Sequence, residues 1–428
     1  MPVPIADGVS YQLGLWGSLG HRKLEAYATR LGKMRMKVRS GLEVFLDAHT
    51  RAVDGLRVGL LCNQASVSSR LESAVDLFAQ RFGSQLSAIF TPQHGLWGEE
   101  QANMIETGHA THARLGIPVY SLYSETRQPT PAMLDQIDCL VIDLQDVGTR
   151  VYTFMWTLLA CMEACAGASK RMIVLDRPNP LGGRVCEGPM LVDGLQSFVG
   201  NSQIPLRHGL TICELALLFR DRHTPSLELD CIAMDGWNRD QYFPASGLPW
   251  VWPSPNMQRF ETAVVYPGQV LLEGTNLSEG RGTTLPFEVF GAPYIDDPHG
   301  LCGALNGYRL PGVILRPLRF RPVFDKWQGQ SCGGLQIHVI DVALVRSVSL
   351  TLAILQVVRQ QAGAQFAWLP PPYEYEYHKL PIDILLGDPA VRSALDAGKL
   401  QDSAAIEQCL QPGLDAWQAD SRRVWMYS

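Results

Sequence analysis

The sequence predicts an α/β fold, with a Rossmann-like parallel-sheet domain followed by a second, smaller mixed α/β domain. Between about residues 56 and 176, short and nearly continuous apolar runs alternate with stretches of helical periodicity. This pattern is typical of strands that are buried on both faces and joined by helices. After about residue 200 the chain becomes richer in Gly, Pro and Trp, which indicates a second unit with long loops. A chain of 428 residues is also long for a single core.

Each apolar run and each helical stretch can be assigned to an element. The predicted strands of the first domain are Leu56–Cys62, Leu86–Phe90, Pro118–Leu122, Cys139–Asp143 and Arg171–Asp176. The predicted helices between them are Leu71–Phe82, Pro131–Gln136 and Val151–Ala166. The second half adds a strand at Leu335–Asp341 and a helix at Val348–Gln361. We therefore expect an N-terminal extension at residues 1–40, a Rossmann-like domain at 41–198 and a smaller α/β domain at 199–428 that closes an active-site cleft.

The overall composition excludes several classes of protein. Hydrophobic residues make up 46% and charged residues 18% of the chain, which is ordinary for a globular protein and not for a disordered one. The formal net charge of −6 gives no electrostatic reason to expect nucleic acid or an anionic membrane as a partner. No run of 18 apolar residues is present, so no membrane-spanning helix is expected. The sequence carries no signature of a particular oligomeric state.

Cysteine usage and the N-terminal residues predict a cytoplasmic location. The ten cysteines are scattered and form no CxxC pair. Cys161 and Cys165, the nearest two, have the spacing of neighbours on a helix. Free cysteine behaves as a small apolar residue, so we expect buried reduced thiols. The first residues also lack the basic, apolar and small-residue order of a secretory signal.

Polar side chains follow four of the predicted strands. Residues 63–64 (NQ), 92–95 (PQHG), 143–146 (DLQD) and 176–180 (DRPNP) each come directly after an apolar run. In open α/β sheets, ligands bind beyond the carboxyl ends of the strands. The sequence therefore predicts a binding site at this edge of the sheet.

The motifs of common cofactors are absent from the sequence. No GxGxxG follows the first strand, and no GxxxxGK[ST] occurs, which argues against NAD or ATP. No HExxH or close His/Asp cluster indicates a catalytic metal. We therefore predict no cofactor.

Three carboxylates in these loops are candidate catalytic groups. Asp143 ends a buried strand at the predicted site, Glu187 lies in a turn-rich loop, and Glu279 precedes the Gly-Arg-Gly of residues 280–282. Each has a structural alternative: a helix cap or anchor for Asp143, hydrogen bonds to backbone amides for Glu187, and a salt bridge in a tight turn for Glu279.

A wider set of loop residues can bind a substrate. The candidates are Asn63, Gln93, His94, Asp146, Arg150, Asn179, Arg207, His208, Asn276 and Arg281. Arginine side chains match carboxylates with two parallel hydrogen bonds, so Arg150, Arg207 and Arg281 are candidates for holding an acidic substituent. Each is equally consistent with a structural ion pair. The loop residues Trp97, Trp250 and Trp252 can either stack on sugar rings or pack in the core.

Several long sequence blocks carry a resemblance to a known family. They are residues 59–64 (GLLCNQ), 92–98 (PQHGLWG), 145–153 (QDVGTRVYT), 175–183 (LDRPNPLGG), 187–189 (EGP), 205–211 (PLRHGLT), 253–257 (PSPNM) and 273–284 (EGTNLSEGRGTT). In this order, over about residues 41–427, they resemble the NamZ-type exo-β-N-acetylmuramidases, a YbbC-like family formerly catalogued as a bacterial domain of unknown function.

The resemblance implies a glycoside hydrolase and a substrate. Members are associated with release of N-acetylmuramic acid from the non-reducing ends of peptidoglycan fragments, in a cleft between a Rossmann-like and a smaller α/β domain. The implied partner is a small saccharide that contains muramic acid, whose lactyl carboxylate gives the arginines a role. Such hydrolysis usually needs two carboxylates, for which Glu187, Glu279 and Asp143 are our candidates.

Gln93 departs from the family pattern, in which many members carry a glutamate at this position. An amide cannot donate or accept a catalytic proton as a carboxylate does. Two alternatives to a muramidase therefore stay open at this point. One is a non-catalytic muropeptide- or sugar-binding protein, and the other is a different hydrolase of the amidase or deacetylase type in the same cleft.

Overall fold

The computed structural model describes residues 37–101 and 105–428. Within them the strands are β1 (Val58–Leu61), β2 (Leu86–Thr91), β3 (Ala110–Thr111), β4 (Pro118–Ser121), β5 (Cys139–Ile142), β6 (Arg171–Leu175), β7 (Glu187–Met190), β8 (Pro205–Arg207), β9 (Leu229–Ile232), β10 (Val289–Ala292), β11 (Val313–Phe320) and β12 (Cys332–Val339). The α-helices are α1 (Gly41–Val44), α2 (Ala74–Phe82), α3 (Pro131–Leu134), α4 (Phe154–Gly167), α5 (Ile212–His223), α6 (Phe243–Ser246), α7 (Phe260–Gln269), α8 (Pro298–Asn306), α9 (Ser347–Ala362), α10 (Pro381–Leu386), α11 (Pro389–Asp396), α12 (Ser403–Leu410) and α13 (Leu414–Ser421).

The large sheet has the predicted parallel architecture. Its order in the described residues is β3-β4-β2-β1-β5-β6-β9, and every pair is parallel except the short edge pair of β3 and β4. All five predicted strands are present, with ends that differ by one or two residues. From β1 the chain first adds β2 and β4 on one side of the sheet and then β5, β6 and β9 on the other. The loops that follow β1 and β5 at the carboxyl edge therefore lead away from each other. The predicted fold class is confirmed.

Continuous apolar runs form these strands because both faces of the sheet are covered. All four residues of β1 and of β5 are buried. One face packs against α1, the helical turn Phe45–His49 that follows it and α2, and the Phe45 and Phe78 rings stack there with centroids 5.7 Å apart. The other face packs against α4 and α5. Ser73 starts α2 by accepting a hydrogen bond from the Asp76 amide, as an N-cap serine does.

The second half carries a smaller antiparallel sheet with the order β10-β12-β11, and α7 packs against α9 beside it. Its core is continuous with the core on the α4 side of the large sheet. The large sheet takes its last strand, β9, from residues 229–232, so it does not end at the predicted domain boundary at residue 198.

Residues 1–36 of the predicted N-terminal extension at residues 1–40 lie outside the described residues. Val38 and Arg39 pair through their backbones with Ser246 and Asp235, and Ser40 caps α1, so these three residues belong to the unit formed by residues 38–428. No helix in the described part of the chain is long and apolar enough to cross a bilayer.

The close contact between α7 and α9 requires glycine at residue 268. A Cβ atom there would overlap the carbonyl oxygen of Ser347 and crowd the hydroxyl of Thr351. We expect Gly268→Ala to lower the free energy of unfolding by about 1–3 kcal/mol, as other overpacked cores do. Denaturant-induced unfolding followed by circular dichroism measures this change.

Gly303 in α8 is the matched control, because a Cβ at this exposed helical position meets no other atom within 4 Å. Gly303→Ala should stabilise the protein by about 0.5–1 kcal/mol through helix propensity. Equal effects of the two substitutions would contradict the proposed close contact.

Candidate active site

A small cavity, partly open to solvent, lies where loops after β2 and β5 meet loops of the second half. Polar side chains dominate its lining. The lining residues are Gln93, His94, Val151, Tyr152, Thr153, Phe154, Val199, Ser254, Asn256, Met257, Tyr266, Glu273, Arg281, Phe287, Tyr373 and Glu374. These residues come from five separate parts of the chain, so the cavity exists only in the folded protein.

The loop after β2 supplies one wall of the cavity. Thr153 donates a hydrogen bond from its hydroxyl to the Gln93 Oε1 atom over 2.7 Å, which orients the amide. His94 has a positive φ of 73°, and its Nδ1 lies 2.6 Å from the carbonyl oxygen of Glu100. Burial lowers the pKa of His94 to about 4, so the imidazole is neutral at pH 7. Its Nδ1 then donates to the carbonyl, and Nε2 is the acceptor nitrogen.

Another wall of the cavity carries Glu273, which is held at both oxygens. Arg281 Nη2 lies 2.7 Å from Glu273 Oε1, and the Tyr373 hydroxyl donates to Oε2 over 2.6 Å. Arg281 also reaches Glu279 with Nε at 3.3 Å, and Lys326 Nζ lies 2.8 Å from the other oxygen of Glu279. Two carboxylates and two cations thus alternate in a row that begins at this wall and continues behind it.

Glu374 is the second carboxylate that lines the cavity. The Tyr123 hydroxyl donates a hydrogen bond to its Oε2 over 2.9 Å. Burial raises the pKa of Glu374 to about 7, although the Tyr123 hydrogen bond acts in the opposite direction. Proximity to Glu273 raises the pKa further. Near neutral pH this carboxyl group can therefore hold or release a proton.

None of the three predicted catalytic carboxylates lines the cavity, and each has a structural role. Asp143 is fully buried in a bidentate pair with Arg177, at 2.6 and 2.7 Å. Glu187 Oε1 accepts hydrogen bonds from the amides of Val348 and Ser349 at the start of α9.

Glu279 is the third of these carboxylates, and it is paired with Lys326 and Arg281 behind the wall. Burial acts to raise its pKa, but the two cations outweigh burial and lower the pKa. An ionised, fully paired carboxylate of this kind is unsuited to proton donation. Glu187 and Glu279 thus follow the structural alternatives open from the sequence, whereas Asp143 is held in an ion pair with Arg177 and does not cap the following helix.

Arg150 is a predicted substrate-binding residue that does not line the cavity, because its guanidinium is used in hydrogen bonds to the backbone. Its Nη1 donates to the carbonyl oxygens of Pro189 and Ile204, both at 3.0 Å. Its Nη2 donates to those of Leu385 and Leu386 at 2.9 and 2.8 Å. The guanidinium is completely buried, and burial lowers the pKa of Arg150 to about 9. It therefore joins three backbone segments and is closed to a ligand.

Of the predicted substrate-binding residues, Gln93, His94 and Arg281 line the cavity. The others outside it hold neighbouring backbone or one another. Asn63 donates to the Pro253 carbonyl, Asn179 to the Leu210 carbonyl, Arg207 to the Leu181 carbonyl and Asn276 to the Gln365 carbonyl, and His208 lies 3.4 Å from Asp146. Buried polar groups need such partners, so loop position alone does not indicate a ligand contact.

The tryptophans singled out in the sequence do not line the cavity either. Trp97 is 69% exposed at a neighbouring groove, Trp252 is exposed, and Trp250 packs edge-on against Phe243. The aromatic surface of the cavity comes from Tyr152, Phe154, Tyr266, Phe287 and Tyr373.

Sequence reasoning missed Glu374 and did not select Glu273. Glu273 opens the block at residues 273–284, where Glu279 beside Arg281 was the more conspicuous carboxylate. Glu374 lies in the segment Pro-Pro-Tyr-Glu-Tyr-Glu-Tyr at residues 371–377, and the alternation of aromatic and acidic residues after two prolines was the available signal. In residues 37–101 and 105–428, no group of three or more His, Cys, Asp or Glu side chains is arranged to hold a metal ion.

Two family models and a curated relative match this chain over most of its length. The family model described as exo-beta-N-acetylmuramidase NamZ, N-terminal, matches residues 58–261, and the corresponding C-terminal model matches residues 264–427. A curated relative, the peptidoglycan beta-N-acetylmuramidase NamZ of Bacillus subtilis (strain 168), is 43% identical over 333 residues, which are 78% of this chain and 80% of the relative.

Two solved structures from Bacteroides fragilis NCTC 9343 share the fold, and both are crystal structures of DUF1343 family proteins. One has a TM-score of 0.82 at 30% identity and covers 92% of this chain and 100% of that one. The other has a TM-score of 0.72 at 24% identity, with coverage of 91% and 99%.

The contacts of Arg150 predict a structural role that stability measurements can test. Arg150→Met removes the donors to four buried carbonyl groups, each of which costs about 1–3 kcal/mol when left unsatisfied. We expect a loss of about 3 kcal/mol or more in the free energy of unfolding, measured by denaturant titration. Arg184→Met is the control, because Arg184 makes an exposed pair with Asp240, and it should leave stability unchanged. An Arg150→Met protein of normal stability and raised KM would instead indicate a ligand contact.

Proposed function

The chain belongs to the NamZ family of exo-β-N-acetylmuramidases, and we propose that it releases N-acetylmuramic acid from the non-reducing end of peptidoglycan-derived saccharides in the cavity described above. It is a glycoside hydrolase, and this class of enzyme usually places two carboxylates beside the bond to be cleaved. One observation carries the assignment of the site. Two buried carboxylates, Glu273 and Glu374, line the same cavity as Arg281 and the neutral His94.

We assign Glu273 to the reacting sugar. Its oxygens are fixed by Arg281 and Tyr373, so the carboxylate does not need to reorganise when positive charge develops at the anomeric carbon. This arrangement suits either a nucleophile or the base that activates water, which are the two roles of the second carboxylate in such enzymes.

Gln93, His94 and Arg281 are then substrate-binding groups. Because the Oε1 atom of Gln93 accepts from Thr153, its Nε2 can donate to a sugar hydroxyl or to the acetamido carbonyl. The Nε2 of neutral His94 can accept from a hydroxyl. Arg281 is the cation in the lining, and we assign it to the lactyl carboxylate of the terminal sugar. An amide at residue 93 is thus compatible with catalysis when both carboxylates come from the second half.

We further propose that the enzyme acts on wall fragments in the cytoplasm. All ten cysteines are unpaired, and six of them are buried. Burial raises the pKa of several of these thiols, for example that of Cys139 to about 12. Unreactive, reduced thiols are typical of proteins in a reducing compartment.

The activity is tested with the disaccharide N-acetylmuramyl-β-1,4-N-acetylglucosamine, with and without a chelator, and mass spectrometry of the products. We expect free N-acetylmuramic acid and N-acetylglucosamine at equal rates in both conditions, because the assigned groups are carboxylates. An intact disaccharide would contradict the proposal, and loss of an acetyl group would indicate a deacetylase.

The role of Glu273 is tested by Glu273→Gln in the same assay. We expect kcat to fall by about 10²–10⁴-fold, the range for loss of a catalytic group, with retained affinity for the disaccharide. Glu261→Gln is the control, because Glu261 is half-exposed on α7, and it should keep normal turnover.

The same assay distinguishes Glu273 as the catalytic carboxylate from Glu187, which the sequence alone suggested. Glu187→Gln weakens the contacts at the start of α9, so it should lower the melting temperature more than it lowers kcat. A Glu187→Gln protein of normal melting temperature that has lost turnover would show that the catalytic site lies elsewhere.

A further inference from the structure

We propose that Glu374 is the proton donor to the departing sugar oxygen, with Tyr123 and Arg127 as positioning residues that hold it at the cavity. This inference rests on the proposed function and adds the acid for that reaction. It places the acid in the same cavity as Gln93, on a different segment of the chain.

The backbone around Glu374 is held in a conformation that few residues adopt. Tyr373 and Glu376 form two backbone hydrogen bonds of 2.9 Å, which close a two-residue turn. Glu374 and Tyr375, at its centre, have φ values of 44° and 66°. Such a turn favours Asn or Gly, and left-handed backbone costs other residues about 1–3 kcal/mol each. Residues with a strained backbone cluster at active sites, and this turn places the Glu374 carboxylate at the cavity wall.

A clamp from the first half holds this turn in place. The Arg127 guanidinium lies 4.2 Å from the centre of the Tyr123 ring and 4.4 Å from that of the Tyr375 ring. Glu106 completes the clamp, since its Oε1 is 3.1 Å from Arg127 Nη2 and 3.3 Å from the Tyr375 hydroxyl. The first half thereby fixes the position of a carboxylate that belongs to the second half.

The surroundings of Glu374 suit a group that must carry a proton. Burial and the neighbouring Glu273 favour the neutral form, whereas the Tyr123 hydrogen bond, Arg281 and Arg127 favour the charged form. The balance raises the pKa of Glu374 to about 7. Because Oε2 accepts from Tyr123, Oε1 is the oxygen that carries the proton. Glu273 instead is ion-paired with Arg281. Two carboxylates with such different environments are the usual acid and base of a glycosidase.

In the reaction, the bond between the anomeric carbon and the glycosidic oxygen breaks while the Glu374 proton moves to that oxygen. The remaining saccharide leaves as an alcohol, and Glu374 becomes a carboxylate. Water supplies the hydroxyl that ends on the anomeric carbon, and its other proton restores the carboxyl group. No further reactant is consumed.

The test compares two substrates that differ in their need for an acid. The disaccharide has a sugar alcohol as leaving group, whereas the 2,4-dinitrophenyl β-glycoside of N-acetylmuramic acid has a phenolate that departs without protonation. We expect Glu374→Gln to lower kcat/KM by about 10²–10⁴-fold on the disaccharide and by less than about tenfold on the aryl glycoside. Glu376→Gln in the same turn, whose carboxylate pairs with Lys379, should leave both rates unchanged.

Two outcomes would overturn the assignment. Equal losses on both substrates would mean that Glu374 does not protonate the leaving group, and unchanged rates would mean that it takes no part. A wild-type protein that cleaves neither substrate would instead contradict the proposed function, and this inference with it.

Tyr123→Phe tests the positioning role without removing the carboxyl group. Loss of the hydrogen bond removes a contact that favours the ionised form, so the pKa of Glu374 should rise. The acid must be protonated to act, and the high-pH limb of the kcat/KM profile should therefore move to higher pH, while Glu374→Gln should abolish that limb. A uniform loss of activity at every pH would indicate a merely structural role for Tyr123.

Discussion

The buried guanidinium of Arg150 is the interaction on which the rest of the site depends. It donates to four carbonyl oxygens, from the end of β7, the residue before β8 and the end of α10. The residues that follow it, Val151 to Phe154, form one side of the cavity. Thr153 among them orients Gln93. A cation without a carboxylate partner is stable here because both terminal nitrogens of the guanidinium donate to backbone carbonyl groups.

The chemistry of the cavity comes from carboxylates in contrasting surroundings. Glu273 is part of an alternating row of charges with Arg281, Glu279 and Lys326, whereas Glu374 has a tyrosine hydroxyl as its partner. The same residue type thus serves as a paired carboxylate in one place and as a carboxyl group that titrates near neutrality in another. Glu273 meets Arg281 of the same loop, whereas the Tyr123 partner of Glu374 comes from a distant part of the chain.

The parts of the fold that were predicted correctly are those with a strong local signal. β1, β2, β4, β5 and β6 are nearly continuous apolar runs in a sheet that helices cover on both faces, and α9 is a 16-residue segment that is largely apolar and buried over most of its length. β9 and β11 lack that signal. β9 is a half-covered edge strand with the sequence LDCI, and β11 has no fully buried residue and contains proline and two arginines. Such strands exist because they pair with β6 and β12, and not because of their own composition.

The sequence by itself determined the family, the α/β class and the edge of the sheet at which polar loops gather, since apolar runs and long motif blocks are local properties. Only the tertiary structure decided which polar residues face the cavity. Asp143, Glu187 and Arg150 have the residue types of a catalytic or binding site, yet each satisfies buried neighbours. A buried polar group needs hydrogen-bond partners whether or not it has a function. Structural and catalytic carboxylates in loops therefore look alike in sequence. Glu374 stands apart because folding brings a strained turn, Tyr123 and Arg127 together around it.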